Sequence, residues 1–156
     1  MATTFEASEL LTIAAGTGSA VAGGFYVAFS AVVMPALRSR PAKEAVETMN
    51  AVNRHAVRPP FLTIFFGTAA ASVAVGINGV ADGDPKGLVR ALGAGLYLSG
   101  FLLTVAYSVP LNNRLAMAPL AEAAASWPQW ARSWTRGNTV RAMASMAGAA
   151  LMVGGR

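Results

Sequence analysis

Charges in this 156-residue chain are confined to a few short stretches, and the gaps between them limit what it can fold into. Residues 10–37, 59–81 and 91–113 contain no Asp, Glu, Lys or Arg, and a shorter uncharged run covers 142–155. About 20 apolar residues rising ~1.5 Å each traverse the ~30 Å hydrocarbon layer of a bilayer. Three runs exceed that length, and the fourth attains it when its helix begins near Ser133. The expected fold is therefore all-α: an integral membrane, antiparallel four-helix bundle in a single domain over residues 1–156. Its spans are expected at about 8–37, 59–80, 87–109 and 133–154.

Hydrophobic residues make up 54% of the chain and charged residues 12%, about half the charged share of soluble domains. The absence of cysteine removes disulfides, thiolate metal sites and a Cys nucleophile from consideration. The N-terminus carries Glu6 and Glu9 but no basic residue, so the first run reads as a retained span rather than a secretory leader. A net charge of +5 invites a nucleic-acid reading, which its distribution removes. Arg38, Arg40, Lys43, Arg54 and Arg58 lie in the first loop, and Arg114, Arg132, Arg136 and Arg141 lie in or after the third. Lys86, Arg90 and Arg156 fall on the other side. This asymmetry follows the positive-inside rule. It places a multi-pass protein in the cell (inner) membrane, with both termini outside and loops 1 and 3 in the cytoplasm. The bilayer is the partner so implied; nucleic acid is not needed, and oligomeric state stays open.

Within the spans, Gly16, Ala20 and Gly24 form one small-residue stripe, and Ala91, Gly95 and Ser99 another. Such stripes are expected at close helix crossings. Residues 41–57 alternate apolar and polar groups at helical spacing and are expected to form a short interfacial helix in loop 1. Asp82-Gly83-Asp84-Pro85 signals a tight external turn. Pro110 is expected to end the third span, and Ser126 to cap a helix carrying Pro128 in its first turn.

Polar side chains gather at the cytoplasmic helix ends: Asn50, Asn53 and His55; Asn112 and Asn113; Trp134, Asn138 and Arg141. On a continuous helix Trp127, Trp130, Trp134, Asn138 and Arg141 share one face. Each group also has a structural reading. Asn and Arg cap helices or contact lipid phosphates, Trp anchors at the interface, and a lone interfacial His is commonly a bystander. His55 is nonetheless the one side chain whose ordinary pKa lies near neutrality, which makes it the candidate base. The sequence holds no His pair, Walker loop, dinucleotide fingerprint or G-x-S-x-G elbow, so no cofactor and no metal are expected.

Four strings occur in an order and spacing that resemble the anthrone oxygenase family of small four-helix membrane proteins. They are Val33-Met34-Pro35-Ala36-Leu37; Met49-Asn50-Ala51-Val52-Asn53; Val109-Pro110-Leu111-Asn112-Asn113-Arg114; and Trp134-Thr135-Arg136 with Asn138 and Arg141. Fungal members that name the family oxidise anthrones to anthraquinones with molecular oxygen and no evident cofactor. The resemblance implies an oxidoreductase acting on a small lipophilic aromatic or quinone-like substrate. It implies that Asn112, Asn113 and Trp134 bind the substrate and that Asn138 and Arg141 act catalytically; the polar mouth adds Asn53 to the binding set, and His55 as catalytic base if the loop 1 helix folds over the bundle mouth. Where many bacterial relatives read W-N-H, this chain reads Gly137-Asn138-Thr139. The competing function class is a non-catalytic membrane protein that binds a lipophile, or supports a partner, through the same polar mouth. Few strongly polar residues lie inside the spans, which argues against an ion channel or proton-coupled transporter.

Overall fold

The computed structural model describes residues 2–59 and 61–155, which form helices joined by short turns, with no strand among them. Arg156, used in the sequence reading, and Pro60 lie outside the described residues. The helices are α1 (Ala2–Ala28), α2 (Met34–Arg38), α3 (Ala42–Ala56), α4 (Phe61–Asp82), α5 (Pro85–Leu103), α6 (Val109–Met117) and α7 (Leu120–Gly154). Five-residue π-helical turns, Phe29–Val33 and Thr104–Ser108, join α1 to α2 and α5 to α6 without a break.

Both wide turns have a proline in the same register, Pro35 and Pro110, each six residues after the turn begins. Proline lacks an N–H and its ring collides with the carbonyl four residues back, so a regular helix is disrupted there. The π turn widens the helix just upstream, and its bonds close over five residues. Met34 N–H donates to the Phe29 carbonyl, and Val109 N–H to the Thr104 carbonyl. Pro110 therefore does not end the third span, as the sequence suggested; the chain stays helical to Met117.

Three helical stretches are long and apolar enough to cross a membrane: Ala7–Arg38, Phe61–Asp82 and Pro85–Met117. At 35 residues, α7 is about 52 Å long, well beyond a hydrocarbon layer. It falls short of the other three in apolarity. It is continuous through Pro128 and starts at Leu120 after Pro119. Ser126 is no cap; its hydroxyl donates back to the Ala123 carbonyl at 3.1 Å. Between α4 and α5, Gly83 adopts φ +68°, a backbone conformation that glycine takes without strain. Asp84 then accepts from Gly87 N–H to cap α5.

In packing, α1 and α5 each lie against both α4 and α7, while α3 lies across α7. The expected small-residue stripes are only partly the contact faces. Gly16 and Gly23 sit against Val153 and Met146 of α7, whereas Gly24 and Gly95 have nothing within 4 Å of where a Cβ would stand. The reason is rotational. A strict four-residue spacing turns 40° per step at 100° per residue, so a stripe centred on Gly16 has left the interface by Gly24. The buried face of α1 instead follows three- and four-residue steps through Thr12, Ala15, Ser19, Ala22 and Tyr26. One close crossing is Gly93 of α5 on Gly148 of α7, where a Cβ on either would stand 2.7 Å from the other's carbonyl oxygen.

Loop 1 is helical, as its periodicity predicts, and its apolar face is covered by protein. Ala45, Val46 and Met49 are buried in a cluster with Leu115, Trp127, Trp130 and Trp134. The two tryptophans read as interface anchors are thus core residues, 4% and 7% exposed for Trp127 and Trp130. A second cluster, including Ala22, Tyr26, Tyr97, Ala142 and Met152, fills the space among the long helices. The candidate site lies between the two.

Candidate functional site

The side chains of α7 that share a face stack in sequence order. Trp127 and Trp130 stack at 5.3 Å between ring centroids, and Trp130 and Trp134 at 6.1 Å. Two indoles fasten α6 to this ladder: Trp130 Nε1 donates to the Leu111 carbonyl (3.1 Å) and Trp134 Nε1 to Asn112 Oδ1 (2.9 Å). Arg38 fastens α2 from the other side, donating from Nη2 to the Ala131 carbonyl and to Thr135 Oγ1.

One and two turns beyond Trp134, the same face presents Asn138 and Arg141, which are 1% and 5% exposed. Each reaches toward one of the wide turns. Asn138 Nδ2 donates to the Tyr26 carbonyl (2.6 Å) and to Ser30 Oγ (2.8 Å) on the α1 side. Arg141 Nη1 donates to Thr104 Oγ1 (3.0 Å) on the α5 side, and its Nη2 donates to Asn138 Oδ1 (2.8 Å). Its guanidinium lies 4.4 Å over the Tyr26 ring and 5.8 Å from the Trp134 ring, an arrangement in which the ring faces attract the cation. Among the described residues no carboxylate lies within ion-pair distance of Arg141. Its Nε is buried without a hydrogen-bond partner.

These groups line a cavity of about 200 Å³. Phe25, Tyr26 and Phe29 of the first span and Phe61, Phe65 and Phe66 of α4 wall it with aromatic rings. Trp134 closes another side, its ring 5.8 Å from that of Phe29. Thr104 and Ser108 enter from the second wide turn, Asn112 from α6, and Val52, Asn53 and Ala56 from α3. No carboxylate lines it, and Tyr26 and Arg141 are the ionisable lining residues.

Of the residues chosen from sequence, the structure brings Asn53, Asn112, Trp134, Asn138 and Arg141 to one cavity. Asn53 Nδ2 is buried there without a partner. Two candidates stand elsewhere. Asn113 is exposed on α6, and the side chain of His55 is exposed on α3, its Nδ1 2.9 Å from the Ala51 carbonyl oxygen. The loop 1 helix does fold over the cavity, but it turns the face carrying Val52, Asn53 and Ala56 inward and His55 into a neighbouring groove. No three His, Cys, Asp or Glu side chains converge among the described residues.

Sequence reasoning missed the aromatic wall, Thr104 and Ser30. Phe25, Phe29, Phe61 and Phe65 look like ordinary span residues in sequence. The signal was the pair of in-span prolines, since a helix that continues through proline adjusts upstream, and π turns recur at functional sites. The departure at Gly137 also has a local explanation. A Cβ there would lie 2.8 Å from Tyr107 Cε1, so the Tyr107 ring occupies the space beside it. Thr139 is exposed and sits 3.0 Å from Ser30, whose hydroxyl in turn meets Asn138.

A helical protein with three membrane-spanning-capable helices and a half-enclosed, aromatic-walled cavity holding a buried cation defines the class. Within it, the anthrone oxygenase profile matches residues 49–151, and the chain belongs to that family. Comparison with curated proteins and with solved structures finds no match.

Proposed function

We propose that this protein oxidises a small lipophilic aromatic of the anthrone type with molecular oxygen inside the cavity. The observation that carries this reading is Arg141, a buried guanidinium with no carboxylate beside it, lining an aromatic-walled space. A cation so placed favours a ligand that is, or becomes, an oxyanion. In an anthrone, a methylene between two aryl rings faces a carbonyl. Loss of a methylene proton spreads negative charge to that carbonyl oxygen, where Arg141 would hydrogen-bond it. Preorganised donors at a developing oxyanion are commonly the largest single contribution to such a step.

The electron-rich anion passes one electron to oxygen, and the resulting carbon radical and superoxide combine at the former methylene. The hydroperoxide then loses water to leave the second carbonyl. One oxygen atom enters the product and the other leaves as water. Trp134 packs on the flat face of the ligand, while Asn112 and Asn53 bind it or order the helix ends around it. Asn138 holds Arg141 and anchors the first wide turn. The lining offers no carboxylate or imidazole, and the base taken from the sequence, His55, stands in the adjacent groove.

The accompanying architecture is an antiparallel four-helix bundle of α1, α4, α5 and α7 in the cell membrane. Both termini lie outside, and α3, α6 and the Trp ladder lie on the cytoplasmic side. Packing of α1 and α5 against both α4 and α7 supports the bundle, and the placement of basic residues supports the orientation. The test is oxygen uptake by the purified protein with anthrone and no added cofactor. Asn138→Ala and Arg141→Lys should lower turnover while the helices stay folded, because lysine keeps the charge but loses the planar fork. If the parent takes up no oxygen yet binds the probe with Arg141 intact, the cavity belongs to a lipophile-binding protein instead.

A further inference from the structure

A second hollow of about 260 Å³ lies beside the cavity, on the seam between α1 and α4. The two share Phe25 and Phe61, whose ring centroids are 4.9 Å apart. Toward the outside the groove is apolar, with Val21 51% and Ile64 36% exposed. At the end nearest α3 it is bounded by His55 and Arg58. Phe25 is itself 40% exposed, so its ring is not locked into a dense core. Gly24, next to it in the chain, leaves open space on that surface. One pair of rings thus separates a bilayer-facing groove from the cavity that holds Arg141.

We infer that the groove is the access route for the ligand: a flat, lipophilic aromatic bearing an acidic hydroxyl passes sideways from the bilayer between Phe25 and Phe61. The inference rests on the cavity reading above and adds the path by which its occupant arrives. The occupant follows from the two ends of the path. Val21, Ile64 and the phenylalanine faces take the ring system, and Arg58 pairs with its ionised oxygen at the mouth. Arg141 pairs with an oxygen of the same ligand at the far end. Lateral access also suits a molecule that partitions into lipid, since it never has to re-enter water.

Val21 and Ile64 line the groove and not the inner cavity, so changing them leaves the binding site itself intact. The probe is 1,8-dihydroxyanthraquinone, added to the protein in lipid nanodiscs, with quenching of the intrinsic tryptophan fluorescence followed by stopped flow. Val21→Phe and Ile64→Phe fill the groove and are expected to slow association and dissociation alike, by about tenfold, with Kd unchanged. Ile64→Ala is expected to speed both. Arg58→Gln should slow association of the dihydroxy probe more than that of unsubstituted anthraquinone. Absence of quenching in the parent overturns the cavity reading and the route with it. Normal binding with unchanged rates in all three groove variants overturns the route alone, as does a shift in Kd with association unaltered. Equal effects of Arg58→Gln on both probes overturn the requirement for an acidic hydroxyl.

Discussion

Replacing Arg141 by methionine separates a side chain kept for chemistry from one kept for stability. Methionine retains most of the volume and adapts its shape, so little cavity is created. What is lost is two hydrogen bonds, to Thr104 Oγ1 at 3.0 Å and Asn138 Oδ1 at 2.8 Å, and the contact over Tyr26 at 4.4 Å. Inside membrane proteins such bonds average about 0.6 kcal/mol and reach about 1.7, so the pair contributes roughly 1–3 kcal/mol. The cation over a desolvated ring adds about 0.5–2 kcal/mol, and the orphaned Asn138 oxygen costs about 1–3 kcal/mol. Against these stands the burial of a guanidinium with no counter-charge, an effective penalty of several kcal/mol that methionine relieves. The opposing effects nearly cancel, and Arg141→Met is expected to unfold within about 2 kcal/mol of the parent. Its turnover should fall at least ~100-fold, as on removal of an oxyanion donor. Denaturant unfolding in mixed micelles, followed by tryptophan fluorescence, gives the first number, and oxygen uptake with anthrone the second. A stability loss beyond about 4 kcal/mol, the usual result of breaking a needed buried pair, would make Arg141 a structural fastener. Undiminished turnover would remove it from the reaction.

Other positions test the frame around the cavity. Gly93→Ala places a Cβ 2.7 Å from the Gly148 carbonyl oxygen, and should cost about 1–3 kcal/mol by forcing α5 and α7 apart. Gly95→Ala meets open space and should be neutral or stabilising by ~0.5–1 kcal/mol; a reversed order in thermal unfolding would refute the crossing. Asp84→Ala removes the acceptor of Gly87 N–H and should cost about 1 kcal/mol without touching turnover, so an activity loss would link that distant turn to the site. For orientation, Ser39→Cys should resist a membrane-impermeant thiol reagent in intact cells while Ala81→Cys is labelled. The opposite pattern would invert the topology.

The helical class and the helix-bearing segments were legible because long uncharged runs leave few alternatives. The face shared by Trp127, Trp130, Trp134, Asn138 and Arg141 was legible because helical spacing alone aligns them, provided that Pro128 does not interrupt α7, and it does not. Two things were hidden. Proline reads locally as a stop, and only the wide turns upstream of Pro35 and Pro110 show how the chain continues. The side of α3 that faces inward was also undetermined. Val52, Asn53 and Ala56 turn toward the cavity, and His55 falls off that face by rotation about the helix axis. A contact stripe inferred from glycine spacing fails for a related reason, since packing follows alternating three- and four-residue steps rather than a constant four.

The wide turns also bear on which changes of chain length the protein tolerates. Each turn amounts to one residue added to an otherwise regular helix. Deleting a residue between Phe29 and Val33 would restore an unbroken α ladder, and because the wide turn already absorbs that residue, everything beyond would keep its facing. Met34 and Leu37 would stay in the core, and Arg38 would keep the Ala131 carbonyl and Thr135. The same deletion between Thr104 and Ser108 would leave Asn112 beside Trp134. What changes is the turn itself, where Ser30 and Thr104 meet Asn138 and Arg141. A deletion inside the regular helix would instead swing everything beyond by about 100°. Both stretches are slack points: a single-residue gap that the rest of the span forbids can be closed there, with only the cavity's own contacts disturbed.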